Sequence, residues 1–121
     1  MDNETLDRFM AEEVMGWHTG DKELDMPWDV VAEHWWIDKD DIYINFVSDW
    51  HPTTDIAQVM ECAEKLDKEG MDYEIMSDRY SKEVRVWSPS KNLWFRKGWK
   101  SIADLPRNIC LAFYEAMKGG E

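Results

Sequence analysis

Residues 73–96 read Y-E-I-M-S-D-R-Y-S-K-E-V-R-V-W-S-P-S-K-N-L-W-F-R, and this stretch decides the fold. β-Branched and aromatic residues gather in three short runs, which predicts strands over residues 73–77, 82–87 and 93–96. The polar residues 78–81 join the first two runs. Ser88-Pro89-Ser90-Lys91-Asn92 supplies a turn before the third. Connections this short favour antiparallel neighbours, so the segment reads as a meander.

Helical patterns flank the meander. On its N-terminal side, Ile56, Val59, Met60, Ala63 and Leu66 share one face and Gly70 stops the run. Pro52 holds the preceding chain extended, Thr53 or Thr54 is expected to cap the helix, and Asp55 complements its dipole. On the C-terminal side, Leu105, Ile109, Ala112, Phe113, Ala116 and Met117 form an apolar stripe. Pro106 fits the first turn of that helix, and Gly119-Gly120 ends it. Further out, Leu6, Phe9, Met10 and Val14 predict a helix over residues 3–15, closed by a left-handed Gly16. Residues 17–29 read as a loop and residues 42–47 as another strand. The order α–(β)–α–β–β–β–α is that of an α+β fold. An antiparallel sheet of three to four strands is layered with three helices as an α/β/α sandwich, in a single domain over residues 1–121.

The chain has 121 residues, a mass of 14.4 kDa and a net charge of −12. Such a charge argues against general affinity for DNA, RNA or anionic lipid, which need a basic footprint. The charge is uneven: residues 1–41 carry net −10, residues 42–82 net −5 and residues 83–121 net +3. Met1-Asp2-Asn3-Glu4 lacks the basic-then-apolar start of a secretory signal, and no apolar run reaches membrane-spanning length. A cytoplasmic location follows as the expectation, with Cys62 and Cys110 as buried free thiols. A bridge between them would require their helices to lie side by side.

Catalytic and metal signatures are missing. His18, His34 and His51 are scattered, there is no H-E-x-x-H, C-x-x-C or G-x-S-x-G, and no glycine-rich phosphate loop occurs. Asp38, Asp40 and Asp41 read as a turn before a strand. Neither enzyme activity nor a metal or cofactor is expected.

The eight tryptophans are the unusual count. Trp36 and Trp87 read as core or edge packing. Trp94-Phe95-Arg96-Lys97-Gly98-Trp99-Lys100 interleaves aromatic rings with cations, and in a strand Trp94 and Arg96 face the same side. An indole stacks on a nucleobase, and a guanidinium forks onto phosphate. The candidate ligand-binding residues are therefore Trp94, Arg96, Lys97, Trp99 and Lys100, joined by Trp50, His51 and Thr54 at the start of the second helix. There, free N–H groups favour an anion and Asp55 works against one.

At these residues the chain resembles the phage ABA sandwich domain family. His51-Pro52-Thr53-Thr54-Asp55-Ile56-Ala57-Gln58-Val59 is similar to that family's Y-S-T-D-I-A-x-A-W segment. Val14-Met15-Gly16-Trp17 resembles its V-M-G-W, and Pro106-Arg107-Asn108-Ile109-Cys110-Leu111-Ala112 its P-x-A-I-C-x-A-A helix. His51-Pro52 replaces the usual aromatic–Ser pair, and Met60 stands where the family has Trp. The resemblance implies a phage or prophage origin and α/β/α layering, and carries over no site.

A small phage protein without catalytic signatures is expected to act by binding. The leading expectation is a non-enzymatic counter-defence protein in the host cytoplasm. It would sequester a small nucleotide-type immune signal as a homo-oligomer, binding neither nucleic acid polymers nor membranes. The alternative is an acidic, DNA-mimic-like inhibitor whose residues 1–41 occupy a basic groove on a host defence protein. A small hydrolase of a nucleotide signal and an accessory domain with no defence role are further alternatives.

Overall fold

The computed structural model describes residues 1–19 and 35–118. Trp28, His34, most of the expected loop over residues 17–29 and the expected Gly119-Gly120 helix end lie outside the described residues.

The elements in chain order are α1 (Asn3–Phe9), β1 (Trp35–Ile37), β2 (Tyr43–Phe46), α2 (Ile56–Lys68), β3 (Tyr73–Ser77), β4 (Lys82–Ser88), β5 (Leu93–Gly98) and α3 (Leu105–Lys118). The described residues form an α+β fold of three helices and two antiparallel sheets, consistent with an α/β/α sandwich. The meander forms a sheet in the order β3-β4-β5. Residues 42–47 supply a strand as expected, and it pairs in a second sheet with β1, a three-residue strand that the sequence pattern does not reveal. The bridge His18↔Ile37 ties the chain after α1 to that small sheet.

The first helix starts at Asp2, whose carboxylate accepts a hydrogen bond from the Thr5 N–H at 2.8 Å. It runs from Phe9 into a π-helical turn over Met10–Val14. The wider turn places Met10, Ala11 and Val14 together in the core. Gly16 then takes the left-handed conformation expected of it, at φ +75°. The Lys65 Nζ donates to the Met15 carbonyl at 3.0 Å, so α2 satisfies an orphan carbonyl at the end of the π-helical turn.

α2 is capped by Asp55, whose carboxylate accepts from the Gln58 N–H at 3.2 Å. This corrects the expectation of a threonine cap. Thr53 is buried, and its N–H is drawn away to the Asp7 carboxylate at 2.9 Å. The Thr54 hydroxyl points back to the His51 carbonyl at 3.4 Å.

The core lies between the helices and the inner face of the three-stranded sheet. α3 packs on β4 and β5, and α1 and α2 pack on α3. Val84 and Val86 of β4 meet Ile109, Ala112, Phe113 and Ala116 of α3, with Leu6, Val59, Cys62 and Leu66 closing the remaining sides. Fully burying each such aliphatic chain contributes on the order of 1.5–3 kcal/mol relative to exposure. Cys62 and Cys110 are both buried and unbridged. Burial, then the Glu61 charge, pushes the Cys62 thiol up from the ordinary 9.0 to about 12. Cys110 is raised well above that ordinary value, first by burial and next by Cys62.

Two outcomes follow. Asp55→Ala should lower stability by about 0.5–2 kcal/mol in urea unfolding, whereas Thr54→Ala should leave it nearly unchanged. Equal losses would restore the threonine cap. Raised thiol values also mean that the folded state holds its protons more tightly than the unfolded chain. The contribution is complete below pH 9.0 and declines as pH rises toward about 12. At pH 8, native protein should therefore leave both thiols unlabelled by a disulfide reagent until it is unfolded.

Candidate functional site

Strand alternation sorts the candidate residues. On β4, Val84, Val86 and Ser88 are buried, so Glu83, Arg85 and Trp87 project from the opposite face. β5 pairs antiparallel with β4 in the register Trp87↔Trp94, Val86↔Phe95, Arg85↔Arg96 and Val84↔Lys97. Trp94 and Arg96 therefore share the outer face with Trp87 and Arg85. Phe95, Lys97 and Trp99 turn toward the helices.

On the outer face, the Trp94 and Trp87 rings stand 5.5 Å apart at 59°. Trp94 keeps 39% of its surface exposed. Arg85 is held by Glu83 at 3.0 Å and Glu74 at 4.0 Å. Arg96 is exposed and makes no ion pair among the described residues. The face thus presents two indoles, one committed guanidinium and one available guanidinium. A planar aromatic group can lie on the indole, with an anion beside it on Arg96.

Lys97 and Trp99 do not join this face. The Lys97 Nζ meets Glu115 of α3 at 2.6 Å. Trp99 is 7% exposed and belongs to the core, with the Lys82 Nζ over its ring at 5.2 Å. Its indole N–H is buried with no partner among the described residues. Lys100 is exposed beyond the strand, and its N–H is accepted by the Asp104 carboxylate at 3.1 Å.

Trp50, His51 and Thr54 sit elsewhere. Trp50 is 3% exposed, its indole N–H donates to the Asp7 carbonyl at 3.0 Å, and its ring meets Trp17 edge-on at 4.7 Å. His51 is exposed, with its N–H on Gln58 Oε1 and its Nδ1 3.7 Å from Asp7 Oδ2. Both line a cavity of about 330 Å³ together with Glu4, Asp7, Arg8, Trp36, Val47 and Ser48. The α2 N-terminus beside them is already occupied by the Asp55 carboxylate, which leaves little room for an external anion.

The eight candidates therefore fall into four places: the outer sheet face, the inner sheet face with its exit, the cavity beside α1 and, for Thr54, the exposed turn before α2. Sequence reasoning missed Arg85 and Asp7, and read Trp87 only as packing. The alternation Val84, Val86 against Arg85, Trp87 was the available signal for the first and last. For Asp7 the signal was a carboxylate placed on the apolar stripe of α1, three residues before Met10 and seven before Val14.

Among the described residues, no group of three or more His, Cys, Asp or Glu side chains could hold a metal ion. Nor is any helix there long and apolar enough to cross a membrane. Asp38 closes the turn before β2, accepting from the N–H groups of Asp40 at 2.8 Å and Ile42 at 3.0 Å.

No curated protein and no solved structure matches the chain. A family model does match, described as the phage ABA sandwich domain, over residues 8–114. That span contains β1 to β5, α2 and most of α3, and all three segments that carry the resemblance, residues 14–17, 51–59 and 106–112. The chain belongs to the phage ABA sandwich domain family.

Proposed function

We propose that this phage protein is a non-enzymatic binder that sequesters a small nucleotide-type immune signal in the host cytoplasm. One observation carries the reading. Trp94 and Arg96 stand side by side on an outer sheet face, the ring exposed and the guanidinium without an ion-pair partner among the described residues. Stacking on the indole contributes about 1–3 kcal/mol per base, and a charge-assisted hydrogen bond about 1.5–3 kcal/mol. The acidic body repels long polyanions, while a compact phosphorylated guest meets only the local cation. A sheet face offers one wall, and burying most of a small ligand takes two. The reading is therefore coupled to a homo-oligomer in which a second copy supplies the other wall.

A second reading, an acidic inhibitor of a basic host protein, draws on the net −10 of residues 1–41 and on the exposed Glu4, Glu12, Glu13, Asp40 and Asp41. It predicts a salt-sensitive protein partner and no small ligand.

Calorimetry with cyclic dinucleotides and relatives of cyclic ADP-ribose tests the first reading. Binding is expected for at least one of them. Trp94→Ala should weaken it by roughly 5- to 150-fold and Arg96→Ala by roughly 10- to 150-fold. Lys97→Ala should leave affinity unchanged, because that side chain faces α3. Flat titrations throughout, or losses at Lys97 equal to those at Arg96, would overturn it.

A further inference from the structure

The cavity beside α1 has a chemistry opposite to that of the sheet face. Its wall includes Asp7, a residue 8% exposed, whose Oδ1 accepts the Thr53 N–H at 2.9 Å. The other oxygen, Oδ2, has no hydrogen-bond donor among the described residues; His51 Nδ1 stands 3.7 Å from it, beyond hydrogen-bond reach. A carboxylate oxygen left without a donor in the wall of a cavity is an acceptor for a donor-bearing cation, and a charge-assisted hydrogen bond is stronger than a neutral one.

The remaining lining fits the same kind of guest. Trp36 and Trp50 contribute indole wall, and aromatic faces attract organic cations. Arg8 shows that this wall accepts one: its guanidinium lies 5.4 Å from the Trp36 ring centroid. Arg8 also pairs with Glu12 at 3.0 Å, on the exposed side of the helix. Glu4 adds a further carboxylate to the lining, and Ser48 a hydroxyl. Glu4, Asp7, Arg8 and Trp36 of the lining come from residues 1–19 and 35–41, whose eight acidic and two basic side chains (net −6) raise the local concentration of cations. Its volume, about 330 Å³, suits a small molecule or one long side chain.

We infer that this cavity receives an organic cation, a primary alkylammonium or a guanidinium group, with its N–H donors on Asp7 and its alkyl stem against Trp36 and Trp50. The site is separate from the sheet face and independent of what binds there. Such a cation reaches the protein either as a free amine or as a Lys or Arg side chain of another protein.

The test uses full-length protein labelled with ¹⁵N and three probes: butylammonium, butylguanidinium and the peptide Gly-Gly-Arg-Gly-Gly. The expected result is saturable binding that shifts the Trp36 and Trp50 indole N–H resonances and leaves that of Trp94 in place. Asp7→Asn keeps the acceptor for the Thr53 N–H and removes the charge, so it should fold. It should weaken binding by roughly tenfold or more. Asp67→Asn removes the same charge from the outer end of α2 and should change affinity less than twofold. Tighter binding of the peptide than of butylguanidinium assigns the cation to a protein side chain, and the reverse order to a free amine. Equal losses in the two variants, or shifts spread over the acidic surface without saturation, would reduce the effect to counter-ion attraction and overturn the inference.

Discussion

The proposed sheet-face site depends on how β4 and β5 are seated against α3. Val84 and Val86 must face Phe113 and its neighbours for the core to close. Side chains alternate along a strand with a period of two, so that one requirement fixes every other residue of the sheet. It sends Arg85, Trp87, Trp94 and Arg96 outward and turns Phe95, Lys97 and Trp99 toward the helices. A slip of one residue would bury Arg96 and expose Phe95, which the apolar stripe of α3 forbids.

The same constraint divides the tryptophans by role. Trp36, Trp50 and Trp99 fill the interior and Trp94 does not. Two of the interior indoles, those of Trp36 and Trp99, carry buried N–H groups that find no partner among the described residues. Leaving such a donor unsatisfied costs on the order of 1–3 kcal/mol each, so ring burial has to outweigh that cost at both positions. Their cationic neighbours Arg8 and Lys82 lie over the rings, which recovers part of the loss. The abundance of tryptophan in this chain is therefore mostly a matter of packing. The outer sheet face presents the exposed Trp94 ring and the guanidinium two residues along.

Much of the architecture was legible because its elements carry strong local periodicity. β3 begins and ends at the residues that the apolar run marks, and α2 and α3 follow their stripes. β1 was not legible, since Trp-Trp-Ile is too short to display a period and lies among charged residues. The π-helical turn was hidden because its apolar spacing is also that of an ordinary helix. At the α2 start, three adjacent residues are all good caps by type, and only the tertiary pull of Asp7 on Thr53 decides for Asp55. The pairing of Trp94 with Arg96 followed from parity within one strand. The separation of Trp50 and His51 from Trp94 did not, because it depends on which elements pack together across the chain.

The most direct test of this account is hydroxyl-radical footprinting of the native protein, with oxidation of each tryptophan read by mass spectrometry. The account predicts rapid modification of Trp94, while Trp36, Trp50 and Trp99 stay protected until the protein unfolds. Modification of Trp99 as fast as Trp94 would contradict the seating of β5 and everything derived from it.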